Sequence, residues 1–268
     1  MLHFFRSFFL IFALSLGFNS TVEAQSVIII DTLTEGSGLI YNQRFIDLTT
    51  CEDTLYGGTA ASFIFMQDIS YHSGGDIFTY GMTDSPTGGE GLYQYFPSWL
   101  ANVGWNFEDF EINQSVKAMT CDQEGNIYLA GTGLSVFRPP YNQLQEVEYI
   151  GALPPAFQAG GDMTVRNGEL FLTTLDNKVV KVDIENPEQS ELIWTLPQDI
   201  DFINGMVSIP ISCDSVDSYG FATGENGSTI YKMDFDNQLL EEICQTEVNV
   251  VGAAAEEECL LPDVLYEV

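Results

Sequence analysis

A hairpin-like unit returns four times along this sequence at nearly even intervals. It reads DISYHSGGDIFTYGM from Asp68, AMTCDQEGNIYLAGT from Ala118, DMTVRNGELFLTTLD from Asp162 and GMVSIPISCDSVDSYGFATGE from Gly205. Each copy has a short alternating run, a turn carrying Gly or Asp, and a second alternating run centred on an aromatic: Phe78, Tyr128, Phe171 or Phe221. Two period-two runs around such a turn predict a β-hairpin. Ile69, Met119, Met163 and Met206 hold matching places and lie 50, 44 and 43 residues apart.

A third run follows each hairpin, as in GLYQYF, GLSVFRPP, NKVVKVDIENP and STIYKMDFDNQ, and a fourth apolar segment such as VEYIGAL or SELIWTL leads into the next unit. Four short antiparallel strands at this period predict the blade of a β-propeller. Helical solenoids share the period but need 3.6-residue patterning, which these units lack. Gly252 falls 46 residues beyond Met206, so a fifth unit begins on schedule, with a first strand through Gly252 and a second in DVLYEV. Its outer strands are supplied by the other end of the chain, where GSGLIYNQRFIDLTTC from Gly36 matches NGSTIYKMDFDNQLLEEIC from Asn226 in its Gly-Ser turn, Ile-Tyr pair and closing cysteine. The expected fold is all-β, a propeller of five four-stranded blades in which N-terminal strands complete the C-terminal blade and remove the open sheet edges. A sixth blade is admitted if the longer first spacing holds additional strands.

Residues 1–24 read as a secretory signal peptide: Arg6 in a short polar start, an apolar run from Phe8 to Phe18, and Val22-Glu23-Ala24 before Gln25. The apolar run is shorter than the roughly 20 residues a spanning helix needs, and no later segment is both long and uncharged enough. Residues 25–268 then form one propeller domain, secreted or held at the cell surface and taken as a monomer. A hydrophobic content of 45% with 13% aromatics is that of a chain with a sizeable core.

The charge balance is 39 acidic against 8 basic residues, a formal −31. Such a field repels phosphate backbones and anionic lipid headgroups, which argues against nucleic-acid and membrane partners. It attracts cations, either diffusely or at specific calcium sites. Once the signal is removed His72, beside a Gly-Gly turn, is the chain's single histidine, so a multi-histidine zinc site is excluded. Cys51, Cys121, Cys213, Cys244 and Cys259 lack the spacing of a metal or redox motif. In an oxidising compartment they predict one or two disulfides, with the connectivity open.

Inner strands of a propeller line its central channel, and the residues that start them converge there. At those places stand Asp68, Ala118, Asp162 and, with a one-residue offset, Asn204. Two carboxylates and an amide facing one channel suit a hard cation such as calcium. The other reading of these groups is hydrogen bonding to adjacent backbone at the strand starts. The longest repeat carries an aromatic set with no counterpart elsewhere, including Tyr93, Tyr95, Trp99 and Trp105. It is read either as a platform for a carbohydrate or peptide ligand or as core between two blades.

The export signal, the strand starts AMT, DMT and GMV, and hairpins such as DQEGNIYLAG resemble blades of extracellular β-propellers, in the broad class that includes SMP-30/gluconolactonase-like and NHL-like repeats and the propeller regions of bacterial surface proteins. The resemblance to the lactonases implies a metal held by acidic and asparagine ligands, here Asp68, Asp162 and Asn204, that polarises a lactone carbonyl. Two functions follow as expectations. One is an exported, non-catalytic propeller that binds an extracellular protein or glycan; the alternative is a divalent-metal-dependent hydrolase of lactonase type with its site in the channel.

Overall fold

The structure, a computed structural model, describes residues 26–35, 38–55, 63–71, 77–83, 90–95, 103–106, 116–141, 147–212 and 215–255. Its strands, in chain order, are β1 (Ser26–Glu35), β2 (Gly38–Asp47) and β3 (Asp53–Leu55); β4 (Phe63–Tyr71), β5 (Ile77–Thr83), β6 (Glu90–Tyr95) and β7 (Val103–Asn106); β8 (Ala118–Cys121), β9 (Ile127–Ala130), β10 (Gly133–Phe137) and β11 (Glu148–Ala152); β12 (Ala159–Arg166), β13 (Glu169–Thr174), β14 (Lys178–Val182) and β15 (Glu191–Thr195); β16 (Ile203–Ser212), β17 (Ser215–Gly224), β18 (Gly227–Asp234) and β19 (Leu239–Thr246); and β20 (Asn249–Ala255). They form five four-stranded antiparallel sheets. Four are consecutive in sequence, and the remaining one has the order β20-β1-β2-β3. The inner strands β20, β4, β8, β12 and β16 touch in a closed ring, each meeting the next and β16 meeting β20. This is the expected five-bladed propeller.

Local sequence explains the hairpins. Between β12 and β13, Asn167 and Gly168 both take positive φ, 54° and 74°, the pattern of the two-residue turn whose twist matches that of paired strands. The aromatics at the centres of the second strands have a single job. Phe78, Tyr128, Phe171 and Phe221 are all buried, and each packs against the inner strand of the following blade. Five apolar clusters result, one at each junction between neighbouring blades. The first blade has no such aromatic and uses Ile28 and Ile30 against Met66 and Ile69 instead.

The closing blade differs from expectation in how the two ends share it. The C-terminal part contributes only the inner strand, β20, while β1 supplies the second strand and pairs Val27 with Ala255. The split is one strand and three, rather than two and two; DVLYEV lies outside the described residues. Because β1 lacks both the aromatic and a turn leading into it, the repeat pattern does not reveal it.

A further link holds this seam. A disulfide joins Cys51, in the turn between β2 and β3, to Cys244 on β19 of the fifth blade, with a Cα–Cα distance of 6.3 Å and 193 residues between them. Within the first blade, Arg44 ties β1, β2 and β3 together, bridging the fully buried Asp31 at 2.6 Å and Asp53 at 2.5 Å. Residues 1–24, His72, Cys213 and Cys259 lie outside the described residues. Among the described residues, no helix is long and apolar enough to cross a membrane.

Candidate functional site

The inner strands converge on the axis at one level, occupied by Asp68, Ala118, Asp162, Gly205 and Gly252. Small residues at three of these five places leave room for the two acids. A Cβ on Gly252 would stand 2.6 Å from Asp68 Oδ1, and one on Gly205 would stand 3.0 Å from the Ala253 Cβ. Asp68 and Asp162 are both fully buried.

Every carboxylate oxygen of the pair accepts a backbone N–H. Asp68 Oδ1 accepts from Ile69 at 2.8 Å and Oδ2 from Met119, on the next inner strand, at 2.5 Å. Asp162 Oδ1 accepts from Met163 at 2.7 Å, and its Oδ2 accepts from both Met206 at 2.7 Å and Ala253 at 3.2 Å. A hydrogen bond also joins the two carboxyl groups. Burial raises Asp68 well above the ordinary carboxylate range, and the charge of Asp162 beside it raises it further. Burial likewise lifts Asp162 to about 7, opposed by its bond to Asp68 and by the amides it holds. The pair therefore retains a proton, shared in the hydrogen bond between the two carboxyl groups.

One level above this pair the strands are irregular. The register slips between Met66 and Asp68, between Ala159 and Met163, between Ile203 and Gly205, and at the pairing of Gly252 and Val250 with β1. Bulges of this kind re-aim side chains and lift residues out of the ladder. Backbone groups released at the bulges find hydroxyls on the second strands: Thr79 Oγ1 donates to the Asp68 carbonyl at 2.8 Å, and the Asp162 amide donates to Thr173 Oγ1 at 2.8 Å. The residues so displaced, with Lys117, surround a cavity of about 170 Å³ at the channel mouth, lined by Thr32, Met66, Gln67, Lys117, Asn204 and the backbone at Gly161.

The expected metal set is thus divided between two levels. Asp68 and Asp162 meet on the axis, while Asn204 is part-exposed and lines the cavity above them; Gly205 takes the place equivalent to the acids. Among the described residues no group of three or more His, Cys, Asp or Glu side chains is arranged to hold a metal ion. Of the aromatic set, Tyr93 is 6% exposed and packs in the cluster between the first and second blades with Ile30 and Met66. Tyr95 and Trp105 lie in β6 and β7 with side chains outside the described part, and Trp99 lies outside the described residues.

Lys117 and Gln67 were not singled out by sequence reasoning. With its amide turned so that both ends are satisfied, Gln67 donates to the Val116 carbonyl and accepts from Lys117 Nζ at 2.8 Å. The sequence does carry a signal: Lys117 is one of only eight basic residues and directly precedes an inner strand.

The fold and the channel define a five-bladed β-propeller. No protein family and no curated protein sequence matches the chain. Solved structures do. A chain of a nidogen/laminin complex aligns with a TM-score of 0.53 at 6% identity, over 86% of this chain and 97% of its own. A Bacteroides thetaiotaomicron protein of unknown function aligns with 0.54 at 12% identity, over 88% and 66%. A Xanthomonas campestris gluconolactonase aligns with 0.53 at 8% identity, over 85% and 79%. At such identities the likeness concerns the fold alone.

Proposed function

We propose that this chain is an exported, non-catalytic β-propeller that binds a protein or glycan partner at or outside the cell surface, with residues 1–24 removed on export. The observation that carries this reading is the use to which the axial acids are put. A channel-centred hydrolase needs carboxylates directed at a metal or a substrate, whereas all four oxygens of Asp68 and Asp162 accept amides from the protein itself. Engaged in this way they work as a fastener between strands. The nidogen/laminin complex offers a parallel, a propeller of similar fold in a protein complex. The gluconolactonase supports the alternative, a divalent-metal lactonase built on Asp68, Asp162 and Asn204, and the meeting of two acids on the axis is the observation in its favour.

Purified residues 25–268 would be screened against arrayed glycans and extracellular proteins, and in parallel against sugar lactones with calcium, zinc or chelator. Saturable binding with no lactone turnover supports the proposal. Turnover that a chelator abolishes would replace it with the alternative. A mature N-terminus at Gln25 in the culture medium, read by mass spectrometry, tests export.

A further inference from the structure

The cavity at the channel mouth carries a charge that the rest of the molecule does not explain. Seven basic side chains lie among the described residues, and six of them pair with a carboxylate: Arg44, Arg138, Arg166, Lys178, Lys181 and Lys232. Lys117 is the exception, with no carboxylate partner among the described residues. Its ammonium spends one donor on Gln67 and has two left. Beside it Asn204 lines the same cavity, and its side-chain amide makes no hydrogen bond among the described residues. An ammonium with two donors to spare and a free amide converging on one concavity are the groups a polar ligand needs.

We propose that the channel mouth is a seat for the carboxylate of a sugar acid, with Lys117 as the charge partner. This deepens the reading of the protein as a binder and rests on it. Three features narrow the ligand. The unpaired ammonium calls for an anion, and a carboxylate accepts a charge-assisted hydrogen bond from it. The surrounding formal charge of −31 repels polyanions, so the anion is compact and singly charged. At about 170 Å³ the cavity is well below the roughly 300 Å³ where drug-sized pockets begin, enough for one sugar ring. Asn204 and Thr32 then face hydroxyl groups, while Met66 offers an apolar wall to the ring carbons.

The test uses residues 25–268 titrated with glucuronate and with glucose by calorimetry, for the wild type, Lys117→Gln and Lys117→Arg, each first checked by circular dichroism and melting temperature. The expected result is saturable binding of glucuronate but not glucose, weakened about tenfold or more by Lys117→Gln and largely kept by Lys117→Arg. Glucose binding as tightly as glucuronate, unchanged affinity in a folded Lys117→Gln, or no glucuronate binding at all would each overturn the seat. A glycan array read alongside separates the two ideas. Hits restricted to neutral glycans, with no response to glucuronate, would sink the seat and leave the binding function standing. An oligosaccharide ending in glucuronate, compared with the free acid, tells whether the group arrives on a glycan or as a metabolite.

Discussion

The carboxylate of Asp162 holds the backbone amide of Ala253 at 3.2 Å, although 91 residues separate them. The same oxygen accepts from Met206, so one side chain ties the inner strands of the fourth, fifth and first blades. Asp68 ties the second blade to the third through Met119, and the bond between the two acids joins these halves. All five inner strands are fastened through two side chains.

That fastening carries a proton, which gives it a pH dependence of known sign. Both acids have native pKa values above the roughly 3.9 of an unfolded aspartate. Their contribution to stability is therefore fully present below that value and is lost as pH rises through about 7 and, for Asp68, beyond. The slope is about 1.4 kcal/mol per pH unit for each proton kept by the native pair and released on unfolding. Urea midpoints of wild type and Asp68→Asn, compared between about pH 4.5 and 8 at fixed ionic strength, isolate this share from general surface repulsion. The advantage of the wild type should shrink as pH rises; a constant difference contradicts the assignment.

The number of amides on one oxygen, two at Asp162 Oδ2 against one on either oxygen of Asp68, sets the order of two isosteric substitutions. An asparagine at 68 turns its NH2 toward a single amide, that of Ile69 or Met119, and loses that acceptor, at a cost of about 1 kcal/mol. An asparagine at 162 removes the charge and points an NH2 at amides that need an acceptor, costing about 3 kcal/mol. Chemical denaturation at neutral pH measures both. If Asp68→Asn proves the more damaging, Asp162 is not the principal fastener of the two.

Space on the axis is as limiting as charge. Gly252→Ala sets a methyl group 2.6 Å from Asp68 Oδ1 and 2.9 Å from its Cα, a clash that costs about 1–3 kcal/mol. Gly168→Ala, in a hairpin turn at φ +74° with open space around it, pays only the conformational penalty of about 1 kcal/mol. Equilibrium unfolding of the two variants should rank them in that order.

The seam has its own test. Replacing Cys51 and Cys244 together by serine removes the link between the first and fifth blades and should lower stability by about 2–5 kcal/mol. Ring closure itself should survive, because β1 and β20 remain paired. Loss of the far-ultraviolet strand signal at room temperature would show that the disulfide, rather than the strand pairing, closes the ring.

Much of the architecture was legible because each blade repeats the same wedge. Phe78, Tyr128, Phe171 and Phe221 mark second strands that must reach the next blade, and their spacing reports the number of blades. β1 escaped because Ile28 and Ile30 perform that task without an aromatic and without a preceding hairpin turn. At the channel, the pair Asp68 and Asp162 was visible as strand-start acids, and hydrogen bonding to adjacent backbone was one of the two readings they allowed. Their mutual contact was not visible, since it depends on Gly205 and Gly252 standing opposite. Asn204, expected with a one-residue offset, is the residue that the register shift lifts out of β16, as Gln67 is in β4, and Gly205 holds the place equivalent to the acids. Lys117 drew no attention because its significance lies in lacking a carboxylate partner, a property of three-dimensional neighbours.

The mixed blade also sets an order of events during synthesis. Its β1, β2 and β3 precede the strands of the other four blades, yet the inner strand they require, β20, follows them all among the described residues. Until then the apolar run Val27 to Ile30, fully or almost fully covered in the finished ring, has an unpaired edge that any passing strand can join. The edge of β1 must be shielded while the four intervening blades are made, and a pause in elongation anywhere between β3 and β20 prolongs that exposure.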